Sequence, residues 1–195
     1  MNFKQVSALL CVSTVLSMNV IVSKALAQEA PSIQFGNAIG SGGCSIEDQL
    51  AGSDGRTLSI ILKDMSAKNG KRQRCLLRVD TIIPSGFHVQ DVQILYQGST
   101  EVSSGSGGAN LSRSYIFTGG ALGVSKATPT TTKFTSSEPL FQAQDNLTVA
   151  SASCGGQGQL GINMIAQSSP GSFIVVDTAD INAGDVKLHI DIAPC

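Results

Sequence analysis

His88 and His189 are the chain's two histidines, so any imidazole acid–base or nucleophilic chemistry must run through one of them. His189 alternates outward between Lys187 and Asp191, the setting of an exposed strand histidine. His88 follows Gly86 and precedes Asp91, a carboxylate it can pair with, but no nucleophile stands at useful spacing. Neither a G-x-S-x-G elbow nor an H-E-x-x-H helix is written anywhere in the chain. A Ser-His-Asp site built from distant strands stays open, because such triads are defined by geometry and not by spacing. Glycoside hydrolysis needs two carboxylates across a cleft, and no pair among the 14 acidic residues is singled out by its position.

Three other groups have chemical potential. Asp177, Asp180 and Asp185, with Asn182, form an acidic loop whose oxygens suit calcium. Their spacing is not that of an EF-hand, and turn capping by Asp and Asn is the plainer account. Lys71, Arg72, Arg74 and Arg78, with Lys68, form a basic patch suited to a polyanion such as acidic polysaccharide. The alternative is a solvated sheet face, since charged strand faces keep sheets soluble. Residues 98–108 (GSTEVSSGSGG) could cradle phosphate, but no Lys-Ser/Thr pair or helix start follows, so a flexible surface loop is expected. Asn110-Leu111-Ser112 and Asn146-Leu147-Thr148 are N-glycosylation acceptor patterns.

These residues ride on β-type segments. In residues 57–63, Leu58, Ile60 and Leu62 alternate with Ser59, Ile61 and Lys63, the period of a strand with one buried face. Asn69-Gly70 is a tight-turn dipeptide, and a hairpin with a long connection is predicted over residues 57–79. Residues 72–79 then place Cys75, Leu77 and Val79 on one face and Arg74, Leu76 and Arg78 on the other, before a Pro84-Ser85-Gly86 turn. Residues 87–96 read as a strand whose apolar phase shifts, so a bulge is expected at Gln90 or Asp91. Further strands are expected over 112–117, 128–136, 146–152, 160–167, 173–176 and 185–192, with an edge strand over 32–35. No run has helical spacing. The predicted fold is all-β, an antiparallel β-sandwich of roughly eight to ten short strands.

The N-terminal segment reads differently. Lys4, a largely apolar run over residues 6–22 and Ala25-Leu26-Ala27 make a secretory signal over residues 1–27, cleaved before Gln28. Ser7, Ser13, Ser17, Asn19 and Lys24 interrupt the roughly 20 apolar residues a membrane span needs. Residues 28–195 then form one secreted domain. The signal holds two of the 13 basic residues and none of the 14 acidic ones, which leaves the domain net acidic and unlike a dedicated nucleic-acid binder. Four cysteines remain in it: Cys44, Cys75, Cys154 and Cys195. An even count in a secreted chain implies two disulfides, with three pairings open. The preferred pairing is Cys75–Cys154, joining strand ends in the core, and Cys44–Cys195, tying the termini. Without a CxxC pair, a zinc site is not expected, and no resident cofactor is expected beyond the calcium option.

The segments also resemble a family of small secreted proteins, domain of unknown function 4360, from Gly43-Cys44 to Cys195. The resemblance rests on Arg72-x-x-Cys75-x-Leu77, then Pro84-x-Gly86-Phe87, Tyr96-x-Gly98 and Tyr115-x-Phe117-x-Gly119. Cys154-Gly155, Leu160-x-Ile162-Asn163 and Asp177-x-x-Asp180 follow in order. Where the family often has Trp-Ser-Pro before Cys-Gly, this chain has Ser151-Ala152-Ser153, so a role tied to that tryptophan does not carry over. The resemblance implies a secreted, disulfide-tied domain and brings no activity with it.

The function expected from all of this is a non-enzymatic extracellular or cell-surface protein that binds or decorates an extracellular polysaccharide or surface protein. One alternative is an extracellular hydrolase of polysaccharide or another polymer. Another is a secreted inhibitor or effector that presents residues 98–108 to a protein partner. With no Trp and two Tyr, the chain has few aromatic platforms for sugars.

Overall fold

The computed structural model describes residues 31–125, 128–150, 152–177 and 186–195. The segment read as a secretory signal, with its expected cleavage site, and Asp180 and Asp185 lie outside them. Fourteen strands are present among the described residues: β1 (Gln34–Phe35), β2 (Ile39–Ser41), β3 (Ser45–Ala51), β4 (Thr57–Lys63), β5 (Ser66–Lys68), β6 (Arg72–Ile83) and β7 (Phe87–Val102). They continue as β8 (Ala109–Thr118), β9 (Val124–Ser125), β10 (Thr130–Phe134), β11 (Glu138–Ala150), β12 (Gly156–Ser168), β13 (Ser172–Val175) and β14 (Val186–Pro194).

Period-two patterning dictates the architecture. Inward residues of β6 (Cys75, Leu77, Val79) and β12 (Leu160, Ile162, Met164) are fully buried, as are Val92, Ile94 and Tyr96 of β7 and Leu188 and Ile190 of β14. Each such apolar side chain withdrawn from water contributes roughly 1.5–3 kcal/mol, so one-sided strands are driven to share a core. They do so as two antiparallel sheets, a sandwich. A six-stranded sheet runs β1-β6-β12-β8-β10, with β2 also on β6. An eight-stranded sheet runs β3-β4-β14-β7-β11-β9, with β5 and β13 attached through β7.

Several expectations meet the structure directly. β4 spans the predicted Thr57–Lys63, and Cys75 faces inward with Leu77 and Val79. Along the β14–β7 pair Asp191 faces Asp91 and Ile192 faces Val89, so the extra residue is Gln90, where a bulge was expected.

Other expectations need correction. Thr57–Val79 is not a hairpin: β4 belongs to the eight-stranded sheet and β6 to the six-stranded one. The Asn69-Gly70 turn, with positive φ at both residues (53° and 78°), carries the chain from β5 across to the other sheet. Residues 98–102 are strand, not loop. Gly98 is buried where an added Cβ would lie 2.1 Å from the Val175 carbonyl oxygen and 2.8 Å from the Phe141 ring, so glycine permits a close approach there. The remaining loop is tied down too: Ser106 Oγ lies 2.8 Å from Ser172 Oγ, and Ser103 N–H donates to the Gly171 carbonyl at 3.2 Å.

The cysteine pairing also departs from the expectation. The disulfides are Cys44–Cys75 and Cys154–Cys195, with Cα separations of 5.3 and 6.2 Å. Cys75 lies in mid-strand on β6 beside the turn that holds Cys44, whereas Cys154 stands beyond the start of β12. Cys154 meets the chain's end at the Pro84–Phe87 turn. There Gly155 N–H donates to the Phe87 carbonyl at 2.7 Å and Cys195 N–H to the Gly86 carbonyl at 2.9 Å. Each disulfide therefore joins one sheet to the other.

Candidate functional site

Residues directly opposite on neighbouring antiparallel strands share a face, so register alone builds the outer surface of the six-stranded sheet. Ile82 of β6 lies between Gln34 of β1 and Gln157 of β12; Asp80 lies beside Gln159, which faces Thr118 of β8. Next come Ile39, Arg78, Gly161 and Ile116, then Ser41, Leu76, Asn163 and Ser114. Arg74 sits in a row with Ile165, Ser112 and Thr131, and Arg72 with Gln167, Asn110 and Lys133. Of the sequence-derived basic patch, Arg72, Arg74 and Arg78 thus share this exposed face, and exposed Lys71 immediately precedes the strand.

At one end of the face is a groove of about 510 Å³, lined by Gln34, Phe35, Asp80, Ile82, Thr118, Gln157 and Gln159, with Gly36, Gly119 and Gly158 among its walls. Gln159 Nε2 donates to Asp80 Oδ1 at 2.7 Å, which orients the carboxylate. Ile82 is 41 % exposed and stands as an apolar surface beside one carboxylate, three amides and a hydroxyl, whereas Phe35, opposite buried Thr81, turns toward the core. That combination suits a polyol ring: C–H surface on Ile82, hydroxyls on the amides and Asp80. Sequence reading missed the groove because its residues range from 34 to 159 and meet only through register. Their one signal was polar side chains at outward positions of strands whose alternate residues are apolar.

Further along the face, Arg74 Nε donates to Asn163 Oδ1 at 2.7 Å and Asn163 Nδ2 to Ser114 Oγ at 3.2 Å. This run of side chains links β6, β12 and β8 and turns Arg74 toward Asn163.

The histidines are on the other sheet and apart from each other. His88 faces Ala193, and His189 faces Gln93 and Thr57. His189 is half-buried, with Nε2 3.1 Å from Asp191 Oδ1 and Nδ1 3.0 Å from Thr57 Oγ1. Thr57 donates its hydroxyl to Asp54 Oδ2 at 2.5 Å, and Asp54 Oδ1 accepts the Arg56 and Thr57 N–H groups at 3.0 Å each. Burial pushes the Asp54 carboxyl up, but the Thr57 hydroxyl and the two N–H groups outweigh it and hold it below its usual value. The Thr57 hydroxyl proton is thus committed to Asp54 and its residue is buried. The constellation resembles a triad but works as a clasp between the turn before β4 and the last strand.

Inside the sandwich lies a second polar cluster. Arg113 of β8, 4 % exposed, donates through Nε and Nη2 to Asp145 of β11 at 2.7 and 3.1 Å, and stands 5.1 Å from the Tyr96 ring centre. Tyr115 donates its hydroxyl to Asp145 Oδ2, Thr130 Oγ1 donates to the same oxygen at 3.1 Å, and the Tyr96 and Tyr115 hydroxyls are 2.9 Å apart. Burial pushes Asp145 up, yet the hydrogen bonds from Arg113 and Tyr115 prevail and lower it; burial raises both tyrosines. The cluster locks β8 and β10 of one sheet to β7 and β11 of the other.

Asp177 is exposed just after β13; the rest of the acidic loop proposed for calcium lies outside the described residues. Among the described residues no group of three or more His, Cys, Asp or Glu side chains is placed to hold a metal, and no helix is long and apolar enough to cross a membrane.

The model of the family described as Domain of unknown function (DUF4360) matches residues 30–195. No curated protein matches the chain. Among solved structures, TmCBM61 in complex with beta-1,4-galactotriose is similar at 9 % identity, with 80 % of this chain and 88 % of that chain covered and a TM-score of 0.36. A structure described as the carbohydrate-binding modules from the beta-sandwich super family is similar at 14 % identity, covering 85 % and 58 %, with a TM-score of 0.33. The enzymatically active domain of bacteriophage CBA120 tailspike protein 4 is similar at 10 % identity, covering 80 % and 19 %, at 0.30. Likeness at this level carries no argument about a ligand.

Proposed function

This chain belongs to the DUF4360 family, and we propose that it is a secreted, non-catalytic binding module for an extracellular polysaccharide, held in the groove at the end of the six-stranded sheet. The observation that carries the reading is the groove's composition. An oriented carboxylate, three glutamine amides and a threonine hydroxyl surround the exposed Ile82 side chain, at a volume of about 510 Å³. Small-molecule sites are commonly clefts of about 300–1,000 Å³ in which apolar surface is joined by a few placed polar groups. The groove is open along the sheet, which suits a segment of a polymer better than an enclosed monomer. Its walls are β-strands, so the polar groups are held before the ligand arrives and little ordering cost is added on binding.

The test is a binding panel of soluble polysaccharides, uncharged and acidic, read by affinity electrophoresis and calorimetry. Asp80→Ala and Gln159→Ala are expected to weaken the binding by tenfold or more, about 1.4 kcal/mol, while thermal unfolding stays within a few degrees of the parent. Unchanged binding in both variants would place the ligand elsewhere and end this reading.

A further inference from the structure

We infer that the polymer is an anionic polysaccharide, seated by an uncharged segment in the groove and led over Gly161 so that its carboxylates or sulfates meet Arg78, Arg74 and Arg72. This deepens the groove reading and rests on it.

Two independent observations support it. The first is charge. The outer face of the six-stranded sheet carries Arg72, Arg74, Arg78 and Lys133 against one acid, Asp80, in a chain whose formal net charge is −1. The opposite outer face mixes signs: Asp91, Asp191 and Glu101 stand among Lys63, Lys68 and Lys187. Solubility is served by mixed charge, as on that second face, and does not call for a one-signed run. Three of the four cations are arginines on outward positions of a single strand, Arg72 and Arg74 adjacent on that face and Arg78 one position further along, past Leu76. Successive outward positions lie roughly 7 Å apart, and the guanidinium fork matches the two oxygens of a carboxylate or sulfate.

The second observation is a missing side chain. Gly161 lies between Arg78 and Ile116, one register row from the groove. A Cβ built there would meet the Ile116 carbonyl oxygen at 3.4 Å and the Ile116 Cβ at 3.7 Å, ordinary contact distances, and the backbone φ is not in the left-handed region. Neither packing nor backbone geometry demands glycine there, and glycine inside a strand costs stability. What it provides is an open lane, walled by Arg78 and by Ile116, which is 61 % exposed. The lane connects the groove's polar end to the arginine row.

The experiment uses the whole protein with oxidised cysteines. The probes are polygalacturonate, dextran sulfate, uncharged dextran and galactan, and a single-stranded DNA of similar length. Polygalacturonate or dextran sulfate, compared with each other, is expected to bind, and the tighter of the two identifies carboxylate or sulfate as the recognised group. By analogy with single-stranded polyanions, three neutralised charges should weaken binding on the order of tenfold between about 50 and about 200 mM salt. Gly161→Phe fills the lane and is expected to abolish that binding with no loss of thermal stability. Arg74→Glu with Arg78→Glu should do the same, whereas Lys187→Glu on the far face should leave it intact. Tight binding of a neutral polysaccharide, lost in Asp80→Ala but insensitive to salt and to the arginine changes, would overturn the inference and keep the groove reading. DNA binding as tight as that of the acidic polysaccharides and indifferent to Gly161→Phe would overturn it as non-specific cation binding. No binding by any polysaccharide would overturn both.

Discussion

Asp145→Ala should be among the most damaging single changes in this protein. The carboxylate accepts from Arg113 Nε at 2.7 Å and Nη2 at 3.1 Å, from the Tyr115 hydroxyl and from Thr130 at 3.1 Å, with both side chains of the ion pair at most 6 % exposed. Removing it leaves a guanidinium in the sandwich interior with no counter-charge, and breaking a buried pair from one side costs about 3–5 kcal/mol. For a domain of this size each kcal/mol moves the midpoint by roughly 2–4 °C, so the fall should be on the order of 10 °C. Urea and thermal unfolding measure it. Replacing both partners at once, as Arg113→Met with Asp145→Leu, should recover much of the loss, because two apolar side chains of similar bulk need no partners. A loss under about 1 kcal/mol for Asp145→Ala, well below that buried-pair range, would refute the reasoning. So would a double variant that loses the sum of the single losses.

The same carboxylate predicts an acid limit. Asp145 and Asp54 both sit below their ordinary value of 3.8 in the folded protein, so their contribution is complete above that value and is lost as pH falls through the folded one. Urea midpoints should decline as pH drops below about 5, and more gently in Asp145→Asn. Gly98→Ala drives a methyl group into the Val175 carbonyl and the Phe141 ring; overpacking of this kind costs about 1–3 kcal/mol or more, read as a lowered melting temperature. Non-reducing peptide mapping should recover Cys44 linked to Cys75 and Cys154 linked to Cys195. Removing either pair as Cys→Ser should cost about 2–5 kcal/mol.

Much of the fold was legible because alternation is a local signal: Leu58, Ile60 and Leu62 declare their face without help from the rest of the chain. The Gln90 bulge was legible for the same reason, as a phase change between Val89 and Val92. What alternation does not say is which strand lies beside which. That is why Thr57–Val79 read as a hairpin, although Asn69-Gly70 hands the chain from one sheet to the other. It is also why joining strand ends in the core and tying the termini, as Cys75–Cys154 and Cys44–Cys195, is a pairing that sequence alone allows, although the chain brings Cys44 to Cys75 and Cys154 to Cys195. Residues 98–102 read as loop because glycine and serine usually mark turns, whereas Gly98 is there for close approach to Val175. The basic strand face was visible as a pattern. The groove beside it was not, since Gln34, Asp80 and Gln159 converge only once β1, β6 and β12 are in register.

The two disulfides also fix how far the molecule can be drawn out under force. Each closes a loop along the chain, with sequence separations of 31 and 41 residues, and the loops do not overlap. A domain stretched from its two ends therefore passes load through both sulfur bridges and shields about 70 residues, on the order of 240 Å of contour, from extension. The shielded segments include β3, β4, β5 and all of β12, β13 and β14. Tension reaches the sandwich chiefly through residues between Cys75 and Cys154, which hold most of β6, the long strand β7, and β8 to β11. A module anchored at one end and gripped by a polymer on the β6 face would bear its load along that central segment, while the strands within the loops stay packed.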